Sequence, residues 1–487
     1  MWSTALLLSA LCIGLPPGAA AAGTASSTDD SNYNVAALQT IISSIDAGQF
    51  RVAEEAIAKE LVRPGLSPEA QEKLLFQRER MQRILLDFTL DTSDVFAQVR
   101  EQIPDLGEAE FTRWDSEGLF EYQLIDGQRR YFNRSPSNLF RLSADARARR
   151  KDQVPLIDGP MEALNEHHRE VHNLAIANES SSVAPQRVRV TQSITVDSDA
   201  VPAGETVRAW IPFPREIPGQ QEEIEVLASD PPARIVAPAT ALQRTVYFEK
   251  KAVAGEATMF SVSYELTVFG RYISVNSDNA VPATITPELA PFVAERPPHI
   301  VFNESMRVFS RQIVGDETNP WRIAQRLFAA VDNIPWAGAR EYSTITNISD
   351  YALHAGHADC GQQTLLLMTL LRLNGIPARW QSGMVYSDQD YWNLHDWGQV
   401  YIAPYGWMPM DVTFGRFASG NSLEWFYLGG LDAFRIAFND DFGQQFEPPK
   451  QHMRSETVDS QRGEVEWSGA NLYFDQWDYS FNAELVQ

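Results

Sequence analysis

The sequence predicts an α+β chain of several domains, on three observations. Apolar residues recur at helical spacing through residues 31–88, they alternate with polar ones between 186 and 277, and an apolar helix beyond 360 precedes two strand-like runs joined by a turn. The expected architecture is a set of N-terminal helical units, an antiparallel β-sandwich, and a core with a central helix packed on an antiparallel sheet. With 487 residues, 44% of them hydrophobic, there is core material for three or four units of roughly 100–200 residues each.

Residues 1–22 carry no charged side chain, run apolar from Ala5 to Leu15 and end in Ala20-Ala21-Ala22, which reads as a signal peptide and predicts export to the periplasm or the exterior. Removing it takes away Cys12 and leaves Cys360 as the one cysteine of the mature chain. No later stretch approaches the roughly 20 apolar residues of a transmembrane helix. Residues 30–88 form a helical hairpin module, broken by Arg63-Pro64-Gly65-Leu66-Ser67-Pro68, a turn that ends in a helix N-cap. Residues 89–150 make a small α+β module, in which Asp126-Gly127 joins FEYQLI to QRRYF as a tight hairpin turn. Residues 151–185 are polar and read as a linker or exposed helix. Alternation over 186–277 gives the sandwich, 285–450 the core, and 451–487 a β-hairpin extension around Ser468-Gly469-Ala470-Asn471. The stretch RSETVDSQRGEVEW looks too polar for a core.

The chemistry concentrates in HADCGQQTLLLMTLLRLNGIPARW and NLHDWGQVYIAPYGWMPMDVTFG. Residues 365–373 are apolar on nearly every face, so the helix is buried, and Asn374-Gly375-Ile376-Pro377 ends it. Cys360 stands at its start, where unpaired N–H groups favour a thiolate and a lowered thiol pKa. A thiol nucleophile needs a base, and the base needs an orienting group. His395 opens one strand and Asp411 closes the next, with a turn at Ala403-Pro404-Tyr405-Gly406 between them, so the two can meet as a Cys-His-Asp relay. Asp396, next to His395 on the strand, points to the opposite face, which favours Asp411 as the triad acid.

On these residues, with GIPAR after the helix and GW…DxT around the aspartate, the segment 319–415 resembles the transglutaminase-like superfamily of papain-like cysteine enzymes. The resemblance implies Cys360 as nucleophile, His395 as general base and acid, and Asp411 as orienting carboxylate. The run VPAGETVRAWIPFP is similar to the sandwich that precedes this core in exported bacterial members. The implied activity is acyl transfer from an amide through a thioester, read as hydrolysis of peptide, isopeptide or other amide bonds. A crosslinking protein-glutamine γ-glutamyltransferase is the alternative, and a non-catalytic scaffold the second alternative. The Cys360 backbone N–H is one oxyanion donor, and Trp336 the candidate for a second, since family members can use an upstream indole there. The glutamine that papain keeps before its cysteine has no counterpart.

His354, His357 and Cys360 are spaced by three, but no fourth ligand is evident, so no metal is expected. His168 and His172 flank a glutamate in the wrong register for a zincin helix. Of Trp380, Trp392, Trp397 and Trp407, the indole of Trp392 lies in a polar loop and is the candidate for substrate contact. A net charge of −24 argues against nucleic acid. The expected partner is a protein or peptide substrate, cell-wall peptides among them, with no cofactor.

Overall fold

The computed structural model describes residues 27–157, 159–389 and 391–486, with the side chains of 27–35 left out. The leader at 1–22 and Cys12 lie outside the described residues. The chain begins with three helices, α1 Ser27–Asp46, α2 Phe50–Leu61 and α3 Pro68–Asp87. The expected helical hairpin is therefore a three-helix unit, because Gly48 breaks the first segment with φ +71°. Ser67 caps α3, its hydroxyl accepting from the Ala70 N–H at 3.2 Å. Their buried faces join Phe88, Ile125 and Phe132 in one cluster.

Helices α4 Thr92–Gln102 and α5 Glu108–Ser116, strands β1 Tyr122–Ile125 and β2 Gln128–Tyr131, and helices α6 Ser135–Leu142 and α7 Ala144–Arg149 follow. In the β1–β2 turn both Asp126 (φ 47°) and Gly127 (φ 84°) are left-handed, as a two-residue hairpin requires. Residues 151–185 are only partly a linker. Helix α8 Glu166–Asn178 packs inward through Val171 and His168, both fully buried.

The sandwich starts at β3 Ser182–Val196 and continues with β4 Thr206–Pro212, β5 Gln221–Asp230, β6 Ile235–Val236, β7 Thr245–Lys251 and β8 Thr258–Tyr272. Buried and half-exposed residues alternate strictly along most of β8. The core contains α9 Glu304–Val314, α10 Pro320–Asp332, α11 Ile348–His354, α12 Cys360–Leu373, β9 Ala378–Tyr386, β10 Trp392–Ile402, β11 Gly406–Met410, β12 Gly430–Leu431 and β13 Arg435–Asn439. Its sheet runs β11-β10-β9-β13, antiparallel throughout.

The tail corrects the sequence reading. Strands β14 Glu464–Glu466 and β15 Asn471–Leu472 form the expected hairpin, but β16 Trp477–Leu485 leaves it. β14 pairs with β4, and β16 pairs with β3 from Val188 to Val196, so the tail completes both sheets of the sandwich. The segment that looked too polar is buried, including Ser455, Glu456, Asp459, Gln461 and Glu464. Its polar groups are hydrogen-bonded internally: Glu464 accepts from the Ser455 and Glu456 N–H groups, which offsets desolvation.

Candidate active site

Helix α12 begins with a reciprocal cap. The Asp359 carboxylate accepts from the Gln362 N–H at 3.0 Å, and the Gln362 side chain accepts from the Asp359 N–H at 3.2 Å. This sets Cys360 in the first turn, half-buried, with the rest of the helix enclosed. Position 361 has no room for a side chain, since a Cβ there would lie 2.1 Å from the Tyr342 hydroxyl and 2.6 Å from Asp396 Oδ2.

β11 pairs with β10 only from Gly398 to Ile402, so the edge of β10 before Gly398 is not covered by β11, and the thiol meets it there. Cys360 Sγ donates to Asp396 Oδ2 at 3.3 Å. The opposite pairing of Gly398 with Met410 brings Asp411, one residue beyond β11, across from Trp397, whose face of β10 His395 shares. His395 Nε2 hydrogen-bonds Asp411 Oδ2 at 2.7 Å, and its ring stacks on Phe414 with centroids 4.3 Å apart. That leaves Nδ1 as the ring nitrogen for other chemistry. Cys360, His395 and Trp336 line one cavity of about 70 Å³. Trp336 is held there because the Ala337 N–H donates to the Ala358 carbonyl, and the Ala358 N–H to that of Pro335.

Asp411 is saturated. Its Oδ2 also accepts from Arg435 Nη1 at 2.8 Å, and its Oδ1 from the N–H groups of Thr413 and Phe414. Burial alone would raise its pKa, but His395 and Arg435 hold it below the ordinary carboxylate range. Arg435 in turn binds Asp432 Oδ2 at 2.5 Å, which also accepts from the Tyr427 hydroxyl. Tyr427 reaches His168 Nε2 at 2.8 Å, and burial depresses the His168 pKa to about 4. His168 is thus a neutral end of a buried chain that supports Asp411, not a metal ligand.

The expectation of a lowered thiol pKa is overturned. Burial, then the carboxylates of Asp396 and Asp359, push the Cys360 thiol well up. Asp396 itself is raised by burial and by neighbouring Asp459, and Asp359 by burial to about 6. These groups line a second cavity of about 270 Å³ together with Tyr342, Glu456 and Arg462. Sequence reasoning missed this acidic flank, although the strand pleat it used does place Asp396 opposite His395. It missed Arg435 as well, and an arginine inside the apolar run LDAFRIAF was the available sign of a buried ion pair.

Trp392 is not brought to the site. It is half-buried against Tyr479 and Phe481 of β16, 5.9 Å from each, because the tail covers the loop that looked open. Trp380 and Trp397 are core, while Trp407 is half-buried. His354 is exposed beside Asp350, whereas His357 is buried facing Glu121. Among the described residues no group of three His, Cys, Asp or Glu is placed to hold a metal ion, and no helix is long and apolar enough to cross a membrane.

A family model for the transglutaminase-like superfamily matches residues 307–412. This segment is a transglutaminase-like core. No curated protein matches the chain. A candidate cysteine protease from Cytophaga hutchinsonii is similar at 13% identity over 63% of this chain and 92% of its own, with a TM-score of 0.41. The periplasmic domain of TgpA from Pseudomonas aeruginosa, solved with ethylmercury, gives 13% identity, 51% and 95% coverage and a TM-score of 0.25. A candidate protease from Parabacteroides distasonis gives 8%, 50% and 64%, and 0.21. The transglutaminase-like core makes this a thiol enzyme in general terms, without separating peptidase from transamidase.

Proposed function

We propose that the protein is an exported thiol hydrolase that cleaves peptide, isopeptide or related amide bonds through a thioester on Cys360. The observation that carries the reading is the His395–Asp411 hydrogen bond of 2.7 Å in the cavity that Cys360 also lines. Because the resting thiol is held protonated, His395 removes its proton as Sγ attacks the amide carbonyl. The oxyanion faces the Cys360 N–H at the start of α12, with the Trp336 indole as second donor. His395 then passes the proton to the departing amine as the C–N bond breaks. Water, deprotonated by His395, attacks the thioester, releasing the acid and restoring the thiol. Asp411 orients the ring and stabilises its charged form, and Arg435 holds Asp411.

Incubation with quenched peptide libraries and cell-wall peptide fragments tests this. Release of product that disappears in Cys360→Ala is expected, and identical release by that variant would refute the assignment. Preferential incorporation of a dansyl amine into a glutamine donor would move the reading to transamidation.

A further inference from the structure

A groove of about 410 Å³ runs into the Cys360 cavity and is lined by Arg134, Arg141, Arg147 and Arg150, with Val154 and Leu156. Trp336 and Arg141 belong to both. In a chain with a net charge of −24, four guanidinium groups on one groove are an exception that calls for a reason. No carboxylate lines this groove among the described residues. Arg147 and Arg150 are fixed by neutral groups. Arg147 Nη1 donates to the carbonyls of Phe140 and Arg141 at 3.0 and 3.2 Å, Arg141 Nη1 to that of Leu156 at 3.0 Å, and Arg150 Nε to Gln102 Oε1 at 3.4 Å. Arg141 also lies 4.1 Å over the Trp336 ring, and Arg150 5.0 Å over Phe140. Among the described residues Arg134, Arg147 and Arg150 make no ion pair. Such anchoring presets the forks while leaving N–H groups for a planar anion.

We infer that this groove is a substrate subsite for a carboxylate-bearing peptide segment, lying next to the amide bond that Cys360 attacks. The inference rests on the acyl-transfer reading for its position and adds the substrate class. The occupant is a short acidic peptide. The exposed Val154 and Leu156 suit its apolar side chains, and the negative charge of the whole molecule repels a long polyanion.

Binding is measured first, so that catalysis is not needed. Full-length Cys360→Ala protein is titrated by fluorescence anisotropy with a labelled, amidated Ala-Glu-Ala-Glu-Ala-Gly peptide and with its glutamine counterpart. The glutamate peptide should bind about ten-fold tighter, with an advantage that shrinks as salt rises. Arg147→Gln with Arg150→Gln should erase the advantage in a protein that still melts cooperatively, with the melting temperature lowered by the lost contacts to Phe140, Arg141 and Gln102. Arg134→Gln, at the exposed rim, should reduce it, and because the Arg134 side chain makes no cap hydrogen bond to α6 the helix start is kept. A glutamine peptide with a free C-terminal carboxylate tells whether side-chain or terminal carboxylates are read. Equal affinity for the glutamate and glutamine peptides, or an advantage that survives all three substitutions, overturns the subsite. If the glutamate peptide binds selectively but the unmodified enzyme cleaves no peptide, the catalytic reading fails and the subsite stands.

Discussion

The Cys360 thiol sits between two kinds of neighbour, an imidazole that can take its proton and a carboxylate that holds the proton on. The second dominates the resting state, since burial and Asp396 both raise the thiol pKa. Iodoacetamide should therefore label Cys360 more slowly than free cysteine at pH 7.5, with a rate that climbs on the alkaline side. Asp396 is itself held protonated by burial and Asp459, so its charge opposes the thiolate where it ionises, on the alkaline side. Asp396→Asn removes that charge, and the variant's labelling rate should climb at lower pH than the parent's, about a factor of ten for each unit by which the thiol pKa falls. A variant labelled no faster than the parent would show that Asp396 does not control the thiol. The residue scale was only half legible in the sequence. Cys360, His395 and Asp411 announce themselves because each chemistry needs that residue type. Asp396 looked like a bystander because the direction of one side chain says nothing about what packs on the face it points to.

At the scale of elements, the start of α12 is specified by local chemistry that a sequence can reveal. The Asp359–Gln362 cap, the apolar turns and the Gly375 stop are all short-range. The fit of its first turn against Tyr342 and β10 is long-range and was not visible. Gly361→Ala sets the two against each other. Alanine gains about 1 kcal/mol in helix propensity, but its Cβ would stand 2.1 Å from the Tyr342 hydroxyl, and overpacking of this kind costs about 1–3 kcal/mol. Loss should win. The variant should melt lower than the parent and turn over peptide at least ten-fold more slowly, since small misplacements at a reacting centre are costly. An equal or higher melting temperature would mean that Tyr342 yields freely. The same limit explains β16. Its alternation was readable as a strand, but nothing local tells a strand to leave its hairpin for β3.

The whole molecule is knit through buried carboxyls at its seams, and these make its stability depend on pH. Asp87, at the end of α3, accepts from the Glu341 N–H at 3.0 Å and from the Thr344 hydroxyl at 3.2 Å, tying the N-terminal helices to the loop before the site. Burial, reinforced by the charge of Glu341, raises its pKa from 3.8 to about 7. Burial also raises Glu456, in the tail segment, to about 7. Between pH 4 and 7 such a group keeps its proton in the folded state and has lost it in the unfolded one. The folded state then binds more protons, and stability falls as pH rises through this window and levels off above it. Asp432 has the opposite sign. Burial is outweighed by its ion pair with Arg435 and its pKa lies below the ordinary range, so its contribution is present at neutral pH and is lost only in strong acid. His168, with its pKa depressed to about 4, opposes this trend at the acid end, because there the unfolded state binds its proton and the folded state does not. The carboxyl effect is therefore read as a difference between variant and parent at pH 5.5 and pH 8. Asp87→Asn keeps an acceptor at the seam and cannot ionise, so the difference between variant and parent should shift in the variant's favour by a few degrees between those two pH values. A difference independent of pH would mean that Asp87 is ionised in the folded protein and that the seam is held by its charge instead.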